Sequence, residues 1–234
     1  MRAEFPLPHG DAPLLRNILA NLSLYRGLAT EHVDLLADAS LPLRTRGATQ
    51  LIRQGAPATG VHIVVHGQVR VYFERGDGAE KTLAILGYGR SFGLAESVLN
   101  QPHLAIARTI SDGMIVYTPR EKILDVARES PDFAERLICQ VAHQAYRLME
   151  DVKRQTVNTA PQRLAGFLLR QSRYHSSKSI ELDISKTLIA SKLGIANETF
   201  SRLLHRFSDQ GLIEVRGRYI RILDPKGISA MQPA

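Results

Sequence analysis

The distribution of glycine divides the chain into parts with different repeating patterns. Between residues 41 and 117, short apolar segments such as His62–Val65 and Val69–Phe73 alternate with glycines. Strands at this spacing, joined by glycine turns, are typical of an antiparallel roll or barrel. Residues 120–165 contain no glycine, and in this stretch apolar residues recur at helical spacing. The sequence therefore predicts an α+β protein with an N-terminal antiparallel β-roll, flanking helices and a helical C-terminal part.

Residues 131–156 carry the apolar spacing of a coiled coil. Intervals of four and three residues alternate, through Ala134, Ile138, Val141, Ala145, Leu148 and Val152. A second apolar edge contains Phe133, Leu137 and Met149. One edge can pack on the roll while the other meets a second copy, and a core helix of the same chain is the alternative. We predict a long dimerisation helix whose interface is formed by the six residues at alternating intervals.

Positive charge is concentrated in the last third of the chain. The formal net charge is +7, and residues 160–234 contribute +6 of it, with twelve cations and six acids. A near-neutral body with a basic tail favours a polyanion as the partner of the tail. Asn158–Pro161 combines a capping residue with a proline, which marks a break. We therefore predict a β-roll domain at 1–130, a dimerisation helix and hinge at 131–158, and a basic domain at 159–234.

The basic segment has the pattern of a winged helix-turn-helix. Ser185 can cap a short helix that Gly194 closes, and Asn197 can cap a second helix through Ser208. The alternating residues 212–222 surround Arg216-Gly217 and predict a β-hairpin wing.

The second helix carries a polar edge suited to reading base pairs. Glu198, Ser201 and Arg202 lie at the helix start, on the side opposite the apolar residues. Arginine can bond guanine bidentately, glutamate can accept from cytosine and serine can contact either strand. A surface ion pair between Glu198 and Arg202 is the simpler structural alternative. Contacts to DNA phosphates are predicted for Thr199, His205, Arg206, Lys186, Lys192, Arg216 and Arg218.

Other classes of protein are disfavoured by what the chain lacks. No apolar run approaches the roughly 18 residues that span a bilayer, and residues 1–13 lack the apolar core of a signal peptide. These features predict a cytoplasmic protein with no membrane partner. The sequence has no nucleophile elbow, P-loop or HExxH motif and no cupin-like set of metal ligands. We therefore expect neither an enzyme nor a metal site.

The order of roll, long helix and winged helix-turn-helix resembles the Crp/Fnr transcription regulators over nearly the whole chain. Asn197-Glu-Thr-Phe-Ser-Arg202 is similar to the recognition helix of that family. Its Glu-x-x-Ser-Arg form resembles the Fnr branch, and in particular the Dnr/Nnr regulators of denitrification and nitric-oxide response. The resemblance implies an activator that binds a palindromic TTGAT-N4-ATCAA-like site as a homodimer. Its implied partners are double-stranded DNA, a second copy of the chain and RNA polymerase.

The resemblance also places an effector pocket in the roll. Family members that bind cyclic nucleotides carry a Gly-Glu-Leu turn and then Arg-Ser/Thr-Ala, whereas this chain has Leu94 at the glutamate and His103-Leu104-Ala105 over the second motif. The implied pocket contains Gly93, Leu94, Glu96, His103, Leu104 and Met149. We expect it not to bind cyclic AMP, because a buried phosphate would lack its arginine.

A single cysteine, Cys139, excludes the four-cysteine iron–sulfur cluster of the oxygen-sensing branch. We expect this thiol to be buried and structural. The sequence leaves three possibilities for the cofactor or signal: haem or nitric oxide, another small ligand, or no ligand. The residues that could ligate a haem iron are His62, His66, His103, His143 and Met149. A ligand-free constitutive regulator and a cyclic-nucleotide-responsive one are the alternatives.

Overall fold

The computed structural model describes residues 12–174 and 179–231. The chain divides into two compact units, the first ending at Ala145 and the second beginning at Tyr146. This division falls inside one long helix. The predicted boundaries after residues 130 and 158 stay predictions.

The first unit is a β-roll with helices before and after it. Its helices are α1 (Ala12–Asn21), α2 (Thr30–Ala39), α3 (Leu94–Leu99), α4 (Arg120–Glu129) and the first part of α5 (Pro131–Val157). Its strands are β1 (Leu41–Thr45), β2 (Gln50–Ile52), β3 (Gly60–His66), β4 (Val69–Glu74), β5 (Glu80–Leu86), β6 (Ser91–Phe92), β7 (Ile106–Thr109) and β8 (Gly113–Pro119). They form two antiparallel four-stranded sheets with the orders β1-β8-β3-β6 and β2-β7-β4-β5.

Two apolar clusters hold this unit together. One lies within the roll and includes Val64, Val69 and Ile115. The other joins the helices to the β1-β8-β3-β6 sheet and includes Leu19 and Phe133. Each fully buried side chain of this size contributes about 1.5–3 kcal/mol through removal from water.

The long helix α5 presents different sides to different surroundings. Of the predicted second apolar edge, Phe133 and Leu137 are buried in the core cluster of the first unit, whereas Met149 is exposed. Gln140 and Gln144 donate hydrogen bonds to Ser91 Oγ at 3.2 and 3.3 Å. Large apolar residues elsewhere on the helix are exposed, among them Ile138, Leu148, Met149 and Val152.

The expected burial of Cys139 is wrong, because the thiol is free and exposed. On a helix, Cys139 lies about 100° round from Ile138. This position turns it away from the roll-facing residues Phe133 and Leu137.

The second unit is a compact helical domain with a small sheet. It contains the rest of α5, then α6 (Ala160–Tyr174), β9 (Ser179–Glu181), α7 (Lys186–Leu193), α8 (Asn197–Asp209), β10 (Ile213–Arg216), β11 (Tyr219–Ile222) and α9 (Pro225–Ala230). The antiparallel sheet has the order β10-β11-β9. Its core includes Leu164, Leu168, Phe200, Phe207 and Ile220.

The predicted fold class is confirmed, with elements added that the sequence pattern did not indicate. Strand β1 contains Pro42, which argues against a central strand, but β1 is the edge of its sheet and an edge strand tolerates proline. Strands β6 and β7 and helix α3 are too short to show a period of their own. Among the described residues, no helix is both long enough and apolar enough to span a membrane.

Candidate DNA-binding surface

The turn between α7 and α8 is fixed by local signals. The Ser185 side chain accepts a hydrogen bond from the backbone N–H of Leu188 at 3.3 Å, which caps α7. Gly194 ends the helix with a φ of 65°, a conformation that favours glycine. The capping role predicted for Asn197 is wrong, because Ala196 holds the cap position and Asn197 is the first helical residue. Asn197 therefore lies one position inside the helix.

Helix α8 has one apolar side and one polar side. Phe200, Leu203, Leu204 and Phe207 are buried in the core of the second unit. Residues Glu198, Ser201, Arg202, His205 and Arg206 are exposed, and Thr199 is half-buried. Packing of the apolar side thus fixes the orientation of the helix and leaves its polar edge in solvent.

The first two turns of this edge carry a weak ion pair. Arg202 NH1 lies 3.6 Å from Glu198 Oε1, and the two side chains are 70% and 80% exposed. An exposed pair at this spacing contributes only about 0.3–0.5 kcal/mol. Exchanging it for contacts to base edges therefore costs little.

The β10–β11 hairpin forms the wing. Gly217 has a φ of 59° in the two-residue turn, where glycine adopts the left-handed conformation without strain. Strand β9 adds a third strand through Ile180, which pairs with Ile220. This three-residue strand was missed in the sequence because only Ile180 and Leu182 show the inward alternation of a strand.

The basic residues predicted to contact phosphates are held differently. Arg206, Arg216 and Arg218 are exposed, whereas Lys186 and Lys192 are half-buried. Arg216 donates from Nε to Glu214 Oε1 at 2.7 Å. Arg218 donates from Nε and NH2 to the Leu182 carbonyl at 3.1 and 2.9 Å. Arg218 therefore also ties the wing to the chain that follows β9.

A second group of polar residues lies inside the roll. The ring of His62 stacks on the ring of Phe92, with the two centroids 5.0 Å apart. The ring of Tyr117 also packs against His62, again with the centroids 5.0 Å apart. His62 Nδ1 is buried, and none of the described residues forms a hydrogen bond with it. His103 is also buried, and a Cβ added at Gly93 would lie 3.1 Å from its Cε1. Gly93 and His103 are thus close neighbours, as the implied pocket requires.

Both histidines are held neutral at pH 7. Burial, and to a smaller extent the charge of the neighbouring His103, lowers the pKa of His62 to about 4. Burial also lowers the pKa of His103, against the opposing effect of the Glu96 carboxylate. Within the described part of the chain, no three His, Cys, Asp or Glu side chains converge in a way that could hold a metal ion.

The two units match two protein-family models. Residues 44–130 match the cyclic nucleotide-binding domain, and residues 162–231 match the Crp-like helix-turn-helix domain. The transcriptional activator FnrA of Stutzerimonas stutzeri is 27% identical over 221 residues, which cover 91% of this chain and 89% of FnrA. A CRP-like cAMP-activated global transcriptional regulator of Mycobacterium tuberculosis is 22% identical over 217 residues, covering 91% of this chain and 97% of that protein. The solved structure of FixK2 from Bradyrhizobium japonicum has a TM-score of 0.74 at 25% identity, covering 83% of this chain and 98% of FixK2.

The two domain types in this order, and regulators that match along nearly the whole chain, decide the family. The chain belongs to the Crp/Fnr family of transcription regulators. It is a DNA-binding regulator with a helix-turn-helix, and its relatives confirm the expectation that it is not an enzyme.

The pocket that the Crp/Fnr resemblance implies is only partly assembled. Leu94 is buried in the helix-facing core cluster of the first unit, and Glu96 is half-buried near His103. Leu104 is 69% exposed and Met149 is 62% exposed, so neither side chain is enclosed. Of the other residues considered as haem ligands, His66 and His143 are exposed. The structure therefore groups Gly93, Glu96 and His103 and adds His62 to them.

Acid should loosen the roll of this Crp/Fnr regulator through His62. Its pKa is about 4 in the folded roll and 6.5 as the ordinary value, so protonation favours the unfolded state. The free energy of unfolding is not reduced by His62 above pH 6.5. It falls as the pH drops from 6.5 toward 4, by about 3 kcal/mol in total. Hydrogen exchange of peptides covering β3 and β8 measures this local stability. We expect His62→Phe to flatten the acid dependence and the exposed His66→Phe to leave it unchanged; equal slopes in His62→Phe and the wild type would contradict the assignment.

Proposed function

We propose that this regulator binds a palindromic TTGAT-N4-ATCAA-like site as a homodimer. Each copy would insert α8 into one of two successive major grooves, since two-fold symmetry places the half-sites about one helical turn apart. The observation that carries the proposal is the exposed polar edge of α8, held in place by the buried residues on its other side. As an activator, the dimer would act through RNA polymerase.

Base reading is assigned to the start of α8. Arg202 would bond a guanine bidentately, Glu198 would accept from a cytosine amino group, and Ser201 would contact either strand. The high exposure of Glu198 and Arg202 supports this assignment, because both side chains can turn toward a groove without loss of packing.

Phosphate contacts are assigned to residues around that edge. His205 and Arg206 follow along α8, Lys186 and Lys192 lie on α7, and Arg216 and Arg218 lie in the wing. Thr199 on the first turn of α8 completes the set. Such contacts supply affinity and its salt dependence and carry no sequence information.

The dimer interface is assigned to the exposed apolar stripe of α5. Ala134 and Val141 of the six predicted residues are half-buried, and Val141 packs against the core of the first unit. A stripe of exposed residues runs along α5 at alternating intervals of four and three, and all of them lie within about 40° of Ile138 around the helix axis. They are Ile138, Ala142, Ala145, Met149, Val152 and Thr156. We therefore propose that the dimer interface, or seam, follows this stripe, with Leu148 beside it. Met149 is then assigned to the seam and no longer to the effector pocket.

The signal is proposed to be a small ligand other than cyclic AMP. A neutral His103 supplies no positive charge for a cyclic phosphate, and the buried Leu94 supplies no carboxylate for a ribose. Haem or nitric oxide is one candidate for this signal. A ligand-free constitutive regulator and a cyclic-nucleotide-responsive one are the alternatives to the proposal.

Fluorescence anisotropy with labelled duplexes tests the DNA-binding proposal. A TTGAT-N4-ATCAA duplex should bind about 1,000-fold more tightly than a scrambled duplex of the same composition, at moderate ionic strength, as specific sites do for regulators of this kind. Inserting five base pairs between the half-sites serves as the control, because it rotates one half-site to the opposite side of the duplex. Equal affinity for all three duplexes would overturn the proposal.

A further inference from the structure

A cavity lies at the corner where α5 meets α6, within the second unit. Its volume is about 270 Å³, and we call it the hinge cavity. Glu150, Lys153 and Arg154 line it from α5, and Arg163 and Arg170 line it from α6. Four cations and one carboxylate therefore face the same small space.

The cations are only partly neutralised by their neighbours. Arg154 NH2 lies 2.9 Å from Asp151 Oδ1 and 3.6 Å from Glu150 Oε2. For Arg163 and Arg170, no carboxylate within the described residues comes as close as the 4.0 Å of an ion pair. Partial burial lowers the pKa of Arg170 and the positive charge of Arg154 lowers it further, while the Asp151 and Glu150 carboxylates act in the opposite direction. Like charges thus meet at the hinge cavity where water screens them less than in bulk.

Arg163 connects the hinge cavity to the DNA-binding elements. Its NH1 donates to the Asn158 carbonyl at 2.6 Å, and its NH2 donates to the Gly194 carbonyl at 3.1 Å. Asn158 lies at the α5–α6 corner, and Gly194 ends α7 just before α8. The Arg163 Nε is buried and has no partner among the described residues.

We propose that the hinge cavity binds a small multivalent anion of the phosphate type, held by Lys153, Arg154, Arg163 and Arg170. Guanidinium groups match phosphate oxygens with paired hydrogen bonds, and a lysine adds a point charge. An anion in this space relieves the repulsion between Arg154 and Arg170. It also supplies an acceptor close to the unpartnered Arg163 Nε.

Such an anion bridges the end of α5 and the first turns of α6. Because Arg163 also holds Gly194, the bridge fixes the α5–α6 corner relative to the turn before α8. We expect the bound anion to change DNA affinity, and this consequence, unlike anion binding itself, rests on the proposed function. The anion is then an effector that acts at the hinge, outside the roll.

Isothermal titration calorimetry with inorganic pyrophosphate and the full chain, without DNA, tests the site. At constant ionic strength, we expect the wild type to bind and Arg170→Gln to bind at least about tenfold more weakly, since a charge-assisted bond is removed. Lys153→Gln provides a second, exposed position with the same expectation. Arg173→Gln is the matched control for Arg170→Gln, because Arg173 is exposed on α6, which also carries Arg170, but does not line the cavity.

Two results would overturn the proposal. The first is no pyrophosphate binding by the wild type; if Arg170→Gln then weakens DNA binding, these arginines contact DNA phosphates instead. The second is equal weakening of pyrophosphate binding by Arg173→Gln, which would show unspecific attraction. A chain without any preference among duplexes would refute the proposed function and leave the calorimetric result standing.

Discussion

Met149→Glu should convert the dimer into monomers. The Met149 side chain is 62% exposed on the single chain, so the substitution leaves the fold of the protomer intact. In a dimer joined along the exposed stripe of α5, it would bury a carboxylate next to its symmetry mate. An unpaired buried charge costs several kcal/mol, so we expect the dimer dissociation constant to rise by about 100-fold or more.

Sedimentation velocity over a range of concentrations measures this change. His143→Glu is the matched control, because His143 is exposed on the same helix but lies about 140° round from Ile138. Affinity for the palindromic duplex should fall with dimerisation in Met149→Glu and stay unchanged in His143→Glu. A Met149→Glu protein that remains dimeric would show that the seam lies elsewhere.

A cross-link tests the register of the two helices directly. Ala145→Cys in a Cys139→Ser background places one thiol on the stripe, where the two-fold axis brings both copies within disulfide distance. The native Cys139 is exposed but off the stripe, so the wild type should not cross-link under the same mild oxidation. Cross-linking of the wild type alone would contradict the proposed seam.

Long periodic and turn-bounded elements were predictable from the sequence, because their signals are local. The helical apolar spacing predicted for residues 131–156 matches the observed helix Pro131–Val157 to within one residue. Ser185 and Gly194 set the ends of α7 through a side-chain cap and a left-handed glycine. The buried side of α8 follows from the spacing of Phe200, Leu203, Leu204 and Phe207. In each case, neighbouring residues along the chain contain the physical cause.

Features that depend on distant contacts were not predictable in this way. The apolar spacing of α5 does not show which side of the helix the roll covers. The sequence therefore could not show that Val141 packs against the core of the first unit and that Met149 is exposed. The burial of His62 depends on Phe92 and Tyr117, which are far from it in the sequence. The hinge cavity gathers arginines from two helices, and their spacing within each helix carries no signal for a site.

Arg202→Ala should remove sequence discrimination without changing the fold. The side chain is 70% exposed, and its ion pair with Glu198 contributes only tenths of a kcal/mol to the free chain. In the complex, removing a bidentate bond to guanine costs about 1–3 kcal/mol, and the dimer makes two such bonds. The preference for TTGAT-N4-ATCAA over a duplex with the guanine replaced should therefore collapse by about 30-fold or more.

Arg206→Ala separates base reading from phosphate binding. This variant should weaken binding to matched and scrambled duplexes by the same factor. The slope of log affinity against log salt should also become shallower by about one for each phosphate contact that is lost with Arg206. Arg202→Ala should instead keep most of the salt slope and lose the preference, which anisotropy titrations at several salt concentrations resolve. If Arg202→Ala retained its preference while Arg206→Ala lost it, base recognition would lie one turn further along α8 than we have assigned it.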